Sequence, residues 1–290
     1  MPRRDALLFV LLSAIWGSSF LFIKLGLLGG MGPLTLVMLR LLLGSAAMGL
    51  LARRLGESIP RSGRILAIIF LVALVNNTLP FSLITWGEQF IPSGLAAILN
   101  STVPLFAVVI SHFALADERF SWHRVAGVGL GFAGVAALFA PDLLSQGLSG
   151  AVIGQLAIIL ASLGYATGSV IARKHLHDVP AATLSALQLG FALLWVTLPA
   201  LWLERPWTLS PTPMAWFAAA WLGLLGTGFA YLLFFRLLKS IGATPTTMVT
   251  YVIPIFAVIF GVLFLEERLY WMQLAALMCI FAGVWLVNRR

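Results

Sequence analysis

Amide, hydroxyl and aromatic side chains recur in the middle of runs that are otherwise apolar. Asn76-Asn77-Thr78 precedes Pro80, Asn100-Ser101-Thr102 precedes Pro104, and Thr250-Tyr251 precedes Pro254. Trp16, Ser18 and Ser19 share another run, as do Tyr165, Thr167 and Ser169, and then Thr227 and Tyr231. A lone Ser or Thr can satisfy itself on a carbonyl of its own helix. An amide carries two donors and an acceptor, so Asn76, Asn77 and Asn100 are not expected to face lipid. Pro104 has no N–H to give the Asn100 carbonyl, and Pro254 none for that of Thr250. Both helices are therefore expected to kink and to leave a carbonyl free for water or an ammonium group. This chemistry is reversible holding of a small polar molecule. It is not bond breaking: no nucleophile has a base at its depth, no HExxH or GxxxxGK[ST] motif occurs, and no catalytic, metal or cofactor site is expected. The expected binding residues are Trp16, Ser19, Asn76, Asn77, Asn100, Ser101, Tyr165, Ser169, Thr227, Tyr231, Thr250 and Tyr251, with Pro80, Pro104 and Pro254 as hinges.

The elements that must position these groups follow from composition. The chain has 290 residues, 61% hydrophobic and 10% charged, whereas a soluble domain carries about 25% charged residues. Such a chain cannot cover a water-facing surface, and it reads as an all-α membrane protein. Ten segments are long enough to span: 5–27, 33–53, 64–86, 93–115, 121–140, 150–172, 180–202, 213–236, 245–265 and 270–288. The first is expected to be an uncleaved span, because its apolar stretch is too long for a leader. With the N-terminus cytoplasmic, 14 of the 18 Lys and Arg fall on the inner side, among them Arg119, Arg289 and Arg290. Three fall outside, and Arg40 lies within the second span. That asymmetry satisfies the positive-inside rule with both termini cytoplasmic. It also accounts for the +8 net charge without nucleic acid as a partner, since no basic stripe with interleaved aromatics occurs. The one cysteine, Cys279, lies in the last run and is expected to be packed and inert.

The chain repeats itself. VPLFAVVISHFALADERFSWHRVAGVGLGFAGVAAL, from Val103, matches IPIFAVIFGVLFLEERLYWMQLAALMCIFAGVWLV, from Ile253. Pro104 pairs with Pro254, Trp122 with Trp271, and Phe132-Ala133-Gly134-Val135 with Phe281-Ala282-Gly283-Val284. WGSSFLFIK in the first span faces YATGSVIARK in the sixth. Five spans per repeat force the second copy to insert upside down, the arrangement characteristic of secondary transporters, with a site near the midplane between the copies. The repeats are read as 1–140 and 150–290, together one membrane domain. On these motifs the chain resembles the EamA-type transporters of the drug/metabolite transporter superfamily along nearly its whole length. Within them it is similar to the YddG-type aromatic amino-acid exporters. That resemblance implies a bacterial inner-membrane location, a cavity built mainly by spans 1, 3, 4, 6, 8 and 9, and export of amino acids, with drugs, nucleosides or other metabolites as the alternative cargo of the same fold.

The residues themselves add expectations. No Asp or Glu lies deep in a span; Glu88, Asp117, Glu118, Asp142, Glu204, Glu266 and Glu267 sit at span ends. Proton-driven transporters usually hold an ionisable relay in the membrane, so transport down a substrate gradient is expected. A neutral, aromatic-walled cavity suits zwitterions and would discriminate side chains weakly. Arg40 and Lys24 are expected to snorkel or to pair with helix-end carbonyls, with attraction of a carboxylate as the alternative for Arg40. The partners are then a small molecule and the bilayer; the sequence leaves monomer and dimer open.

Overall fold

In lipid every backbone polar group must be satisfied within the chain, and uninterrupted apolar runs do so as helices. The computed structural model describes residues 2–115 and 121–288, and its regular structure there is helical throughout. The expectations placed on Asp117, Glu118, Arg119, Arg289 and Arg290 lie outside the described residues. Among the described residues nine helices are long and apolar enough to cross a membrane. They are α1 (Arg3–Leu28), α2 (Pro33–Arg54), α3 (Gly63–Gly87), α4 (Ser93–Ala114), α5 (Trp122–Gln146), α6 (Gly150–His175), α7 (Ala181–Glu204), α8 (Pro213–Ile241) and α9 (Pro245–Leu265). A shorter apolar helix, α10 (Trp271–Asn288), completes the ten. Local signals set several ends. Ser62, Ser121 and Thr212 accept from the backbone N–H three residues on, and Gly147 and Gly242 stop helices at positive φ. α5 runs through Pro141 instead of ending at residue 140.

The packing follows the repeat. α1 lies against α8 and α9, while its counterpart α6 lies against α3 and α4. α2 pairs with α7, and α5 with α10. Nearly every large interface therefore joins one repeat to the other. The α5–α10 seam shows why the repeated motifs carry glycine. A Cβ on Gly127 would stand 2.5 Å from the carbonyl oxygen of Gly283, and one on Gly134 would stand 3.0 Å from that of Ala276. Gly127 and Ala276 are repeat equivalents, as are Gly134 and Gly283, so the two contacts are copies of each other in an antiparallel pair. Small residues let the backbones meet where lipid offers no hydrophobic drive for association. Trp122 and Trp271, at the starts of these helices, are 80% and 75% exposed and mark the two membrane–water boundaries.

α2 and α7 also cap each other. Glu204 accepts from the Leu34 and Thr35 backbone N–H groups and from the Thr35 hydroxyl, each at 2.7 Å. Glu57 accepts from the Thr183 N–H at 2.7 Å. Thr35-Leu36 and Thr183-Leu184 occupy equivalent places in the two repeats, so each carboxylate closes the other repeat's helix. Orphan N–H groups at a helix start, with the positive end of the dipole, are what a carboxylate satisfies best.

Gly127→Leu forces the α5 and α10 backbones apart. It is expected to destabilise the bundle by about 1–3 kcal/mol, the usual cost of overpacking, read as a lowered thermal midpoint in detergent; an unchanged midpoint would refute the close backbone approach at Gly127.

Candidate binding cavity

Four departures from ideal helix shape a central space. α3 widens into a π-turn over Leu74–Thr78 and α8 over Trp221–Phe229, which are equivalent stretches of the two repeats. α4 breaks at Ser101-Thr102, just ahead of Pro104. α9 breaks at Met248, and Pro254 then lies inside the unbroken helix Val249–Leu265. The expected pair of kinks is thus unequal: the chain is interrupted two residues before Pro104 but six residues before Pro254. π-Turns often mark functional sites, because they turn polar backbone and side chains out of register with the helix.

The resulting cavity holds about 350 Å³, within the roughly 300–1,000 Å³ of small-ligand sites. Its wall comes in repeat-related pairs: Trp16 with Tyr165, Phe20 with Ser169, Asn76 with Gly226, Phe81 with Tyr231, Asn100 with Thr250, and Pro104 with Pro254. Of the expected residues, Trp16, Ser19, Asn76, Asn77, Asn100, Ser101, Tyr165, Ser169, Tyr231, Thr250, Pro104 and Pro254 line it. Three do not. The Tyr251 ring packs edge-on to Phe281 of α10. Thr227 is fully buried behind the wall, donating to the Leu222 carbonyl at 2.9 Å. Pro80 is buried against the α6 backbone near Gly164. The π-turn in α8 and the early break in α9 set faces that ideal 3.6-residue spacing does not give.

The wall hydroxyls mostly donate to their own helices: Ser101 to the Ile98 carbonyl, Ser169 to that of Ala166, and Thr250 to that of Thr247. They therefore turn oxygen lone pairs to the cavity. The Asn100 Oδ1 accepts from Ser162 at 3.3 Å, which orients the amide. Aromatic contacts brace the remainder: Trp16 lies edge-on to Tyr231 with centroids 6.5 Å apart, and Phe81 edge-on to Tyr165 at 6.3 Å. Sequence reasoning missed the apolar members Phe20, Ile23, Phe81, Ile84, Ala97, Val103 and Ile253, which carry no polar signal. It also misplaced Arg40, which turns into the cavity wall and neither snorkels nor meets a helix end. Lys24 does pair with helix-end carbonyls, those of Glu88 and Ile91. Glu88, read from sequence as a span-end group, is completely buried, though it stands apart from the wall.

The two ends of the cavity differ. Ser93–Leu99, the first turns of α4, are buried throughout, and Glu267 fixes their start by accepting from the Ser93 N–H at 2.6 Å and the Gly94 N–H at 3.0 Å. In the equivalent start of α9, Thr246 and Val249 are buried, whereas Pro245, Thr247, Met248 and Thr250 are exposed.

A bundle of this kind, doubled on itself around a cavity with polar groups set in an apolar wall, defines a multi-pass membrane transporter. The EamA-like transporter family matches residues 4–140 and 152–289, so each repeat is matched separately, and the chain belongs to that family. It is 30% identical to the uncharacterized transporter YvbV of Bacillus subtilis, over all of this chain and 93% of that one. It is 29% identical to the uncharacterized inner membrane transporter YedA of Escherichia coli K12, over 94% and 87%. It is 28% identical to a probable terminal-alkyne amino-acid exporter of Streptantibioticus cattleyicolor, over 97% and 92%. A solved crystal structure, 19% identical, shares the fold with a TM-score of 0.67 over 99% of this chain and 97% of that one.

In a Cys279→Ser background, Thr250→Cys is expected to react with a soluble maleimide while Ser93→Cys stays protected. Equal labelling of both would refute the one-sided closure.

Proposed function

We propose that the chain exports amino acids from the cytoplasm across a bacterial inner membrane by alternating access. The observation that carries the reading is a cavity built of repeat-related pairs, with the start of α4 packed and the start of α9 partly exposed. The charge pattern puts the start of α4 on the outer side and the start of α9 on the inner side. The cavity accordingly faces the cytoplasm. In the opposite state the two repeats exchange conformations: Pro245–Thr250 packs as Ser93–Leu99 does here, and the start of α4 comes free. The repeats themselves are read as 1–140 and 150–290.

Amino acids suit the wall on chemical grounds. The hydroxyl lone pairs, the asparagine oxygens and the carbonyls freed at Asn100 and Thr250 can accept from an ammonium group. Trp16, Phe20, Phe81, Tyr165 and Tyr231 supply faces for apolar or aromatic side chains without demanding one shape. The name of the Streptantibioticus relative, and the resemblance to YddG-type exporters, point the same way. No carboxylate lines the cavity among the described residues, which favours passage down the substrate gradient over obligatory proton exchange.

In proteoliposomes, efflux of several unlike amino acids, aromatic ones included, is expected to saturate and to be unaffected by an imposed pH gradient. Asn100→Ala is expected to raise the half-saturation concentration by about tenfold, the worth of one hydrogen bond to a charged group. Flux of nucleosides or cationic drugs in place of amino acids would overturn the substrate reading; accumulation driven by pH would overturn the energetics.

A further inference from the structure

Among the described residues Arg40 is the one charged residue lining the cavity. It is 9% exposed. Its Nε donates to the Thr227 hydroxyl at 3.2 Å, and that hydroxyl is fixed in turn by donating to the Leu222 carbonyl inside the α8 π-turn. The guanidinium carbon stands 4.1 Å from the centre of the Phe81 ring. No carboxylate of the described residues forms an ion pair with it. The bond to Thr227 uses Nε, and the terminal nitrogens at the cavity side carry no hydrogen bond to a described residue. The buried Glu88 acts on it electrostatically without forming an ion pair, and a cation at this depth is costly unless an anion meets it.

The repeat shows that the fold does not demand this charge. Thr35-Leu36-Val37-Met38-Leu39-Arg40 in α2 corresponds to Thr183-Leu184-Ser185-Ala186-Leu187-Gln188 in α7. The counterpart of Arg40 is therefore the neutral Gln188, which stands outside the wall. The charge is an addition to one half of an otherwise doubled cage. Its placement also gives a carried molecule a direction: anion toward α2 and α8, ammonium toward the freed carbonyls of α4 and α9.

We infer that Arg40 is the carboxylate anchor of the cavity. Its terminal nitrogens form a fork for a free carboxylate, so that the protein carries carboxylate-bearing molecules and rejects their amides and esters. Planar, always charged and held at Nε by Thr227, the guanidinium is pre-organised for such bidentate pairing in a way a lysine is not. This inference rests on the cavity being a transport site, as proposed above, but not on the cargo being an amino acid.

The test is exchange in proteoliposomes with three probes of one side chain: phenylalanine, phenylalaninamide and 3-phenylpropionate. Exchange of phenylalanine over its amide by at least about tenfold is expected, with that ratio collapsing in Arg40→Gln and partly kept in Arg40→Lys. Thr227→Val, which frees Nε but keeps the charge, should raise the half-saturation concentration for phenylalanine and keep the ratio. If Arg40→Gln does not insert, the wild-type ratio together with Arg40→Lys and Thr227→Val decides. Equal exchange of acid and amide, or an unchanged ratio in Arg40→Gln, overturns the anchor while leaving amino-acid export standing. Exchange of 3-phenylpropionate without phenylalanine upholds the anchor and overturns amino-acid export. Exchange of the amide alone, or of none of the three, overturns both.

Discussion

A duplicated chain with an odd number of crossings has to place its second copy upside down, and each helix then finds its complement in the other copy. The principal helix pairs here, α1 with α9, α2 with α7 and α5 with α10, all cross between repeats. Anything at the shared axis is consequently built twice from similar residues, which is why the wall is a set of pairs. The same constraint explains where identity between the copies is kept. The Phe-Ala-Gly-Val stretches lie in the α5–α10 seam, where Gly127 against Gly283 and Gly134 against Ala276 let two backbones touch. The cavity pairs are less alike: Asn76 faces a glycine counterpart and Phe81 a tyrosine. Packing holds the copies equal, and the central space lets them diverge.

Irregular backbone at membrane depth is tolerated where it is buried in protein or lines a polar cavity. The π-turns of α3 and α8 and the breaks in α4 and α9 all meet that condition, and they bring Asn76, Asn77 and Ser101 to the wall, with Asn100 and Thr250 close by. The two breaks fall at different places relative to their prolines, ahead of Pro104 and well before Pro254. One sequence pattern thus has two backbone outcomes. A fold able to alternate needs such a difference, because each repeat must be able to adopt the conformation of the other.

The helical runs, their number and the repeat are legible in the sequence, because they rest on hydropathy and spacing alone. The polar residues ahead of the prolines mark the right depth for the cavity. Depth is not direction, however. Each extra residue in a π-turn rotates the rest of the helix by about 100° relative to ideal geometry, so Thr227 turns behind the wall where spacing would have it face in. Tyr251 comes after an early break and meets Phe281 instead. Arg40 was legible as a charge within a span, but its orientation depends on Thr227, 187 residues further along the chain. Glu88 shows a related limit: closeness to the end of a helix does not fix exposure once α1 and the α3–α4 connection close over it.

The reciprocal caps of α2 and α7 have a consequence for biosynthesis. The carboxylate that satisfies the start of α2 belongs to Glu204, 170 residues downstream of Leu34. At ordinary elongation rates of about 5–20 residues per second, that partner emerges on the order of ten to thirty seconds later. During this interval the first repeat sits in the bilayer with the start of α2 uncapped and with the faces meant for α7, α8 and α9 uncovered. The nascent half-protein is an unfinished surface that only its own inverted copy completes, so premature termination after the fifth span leaves a fragment primed to pair with another chain.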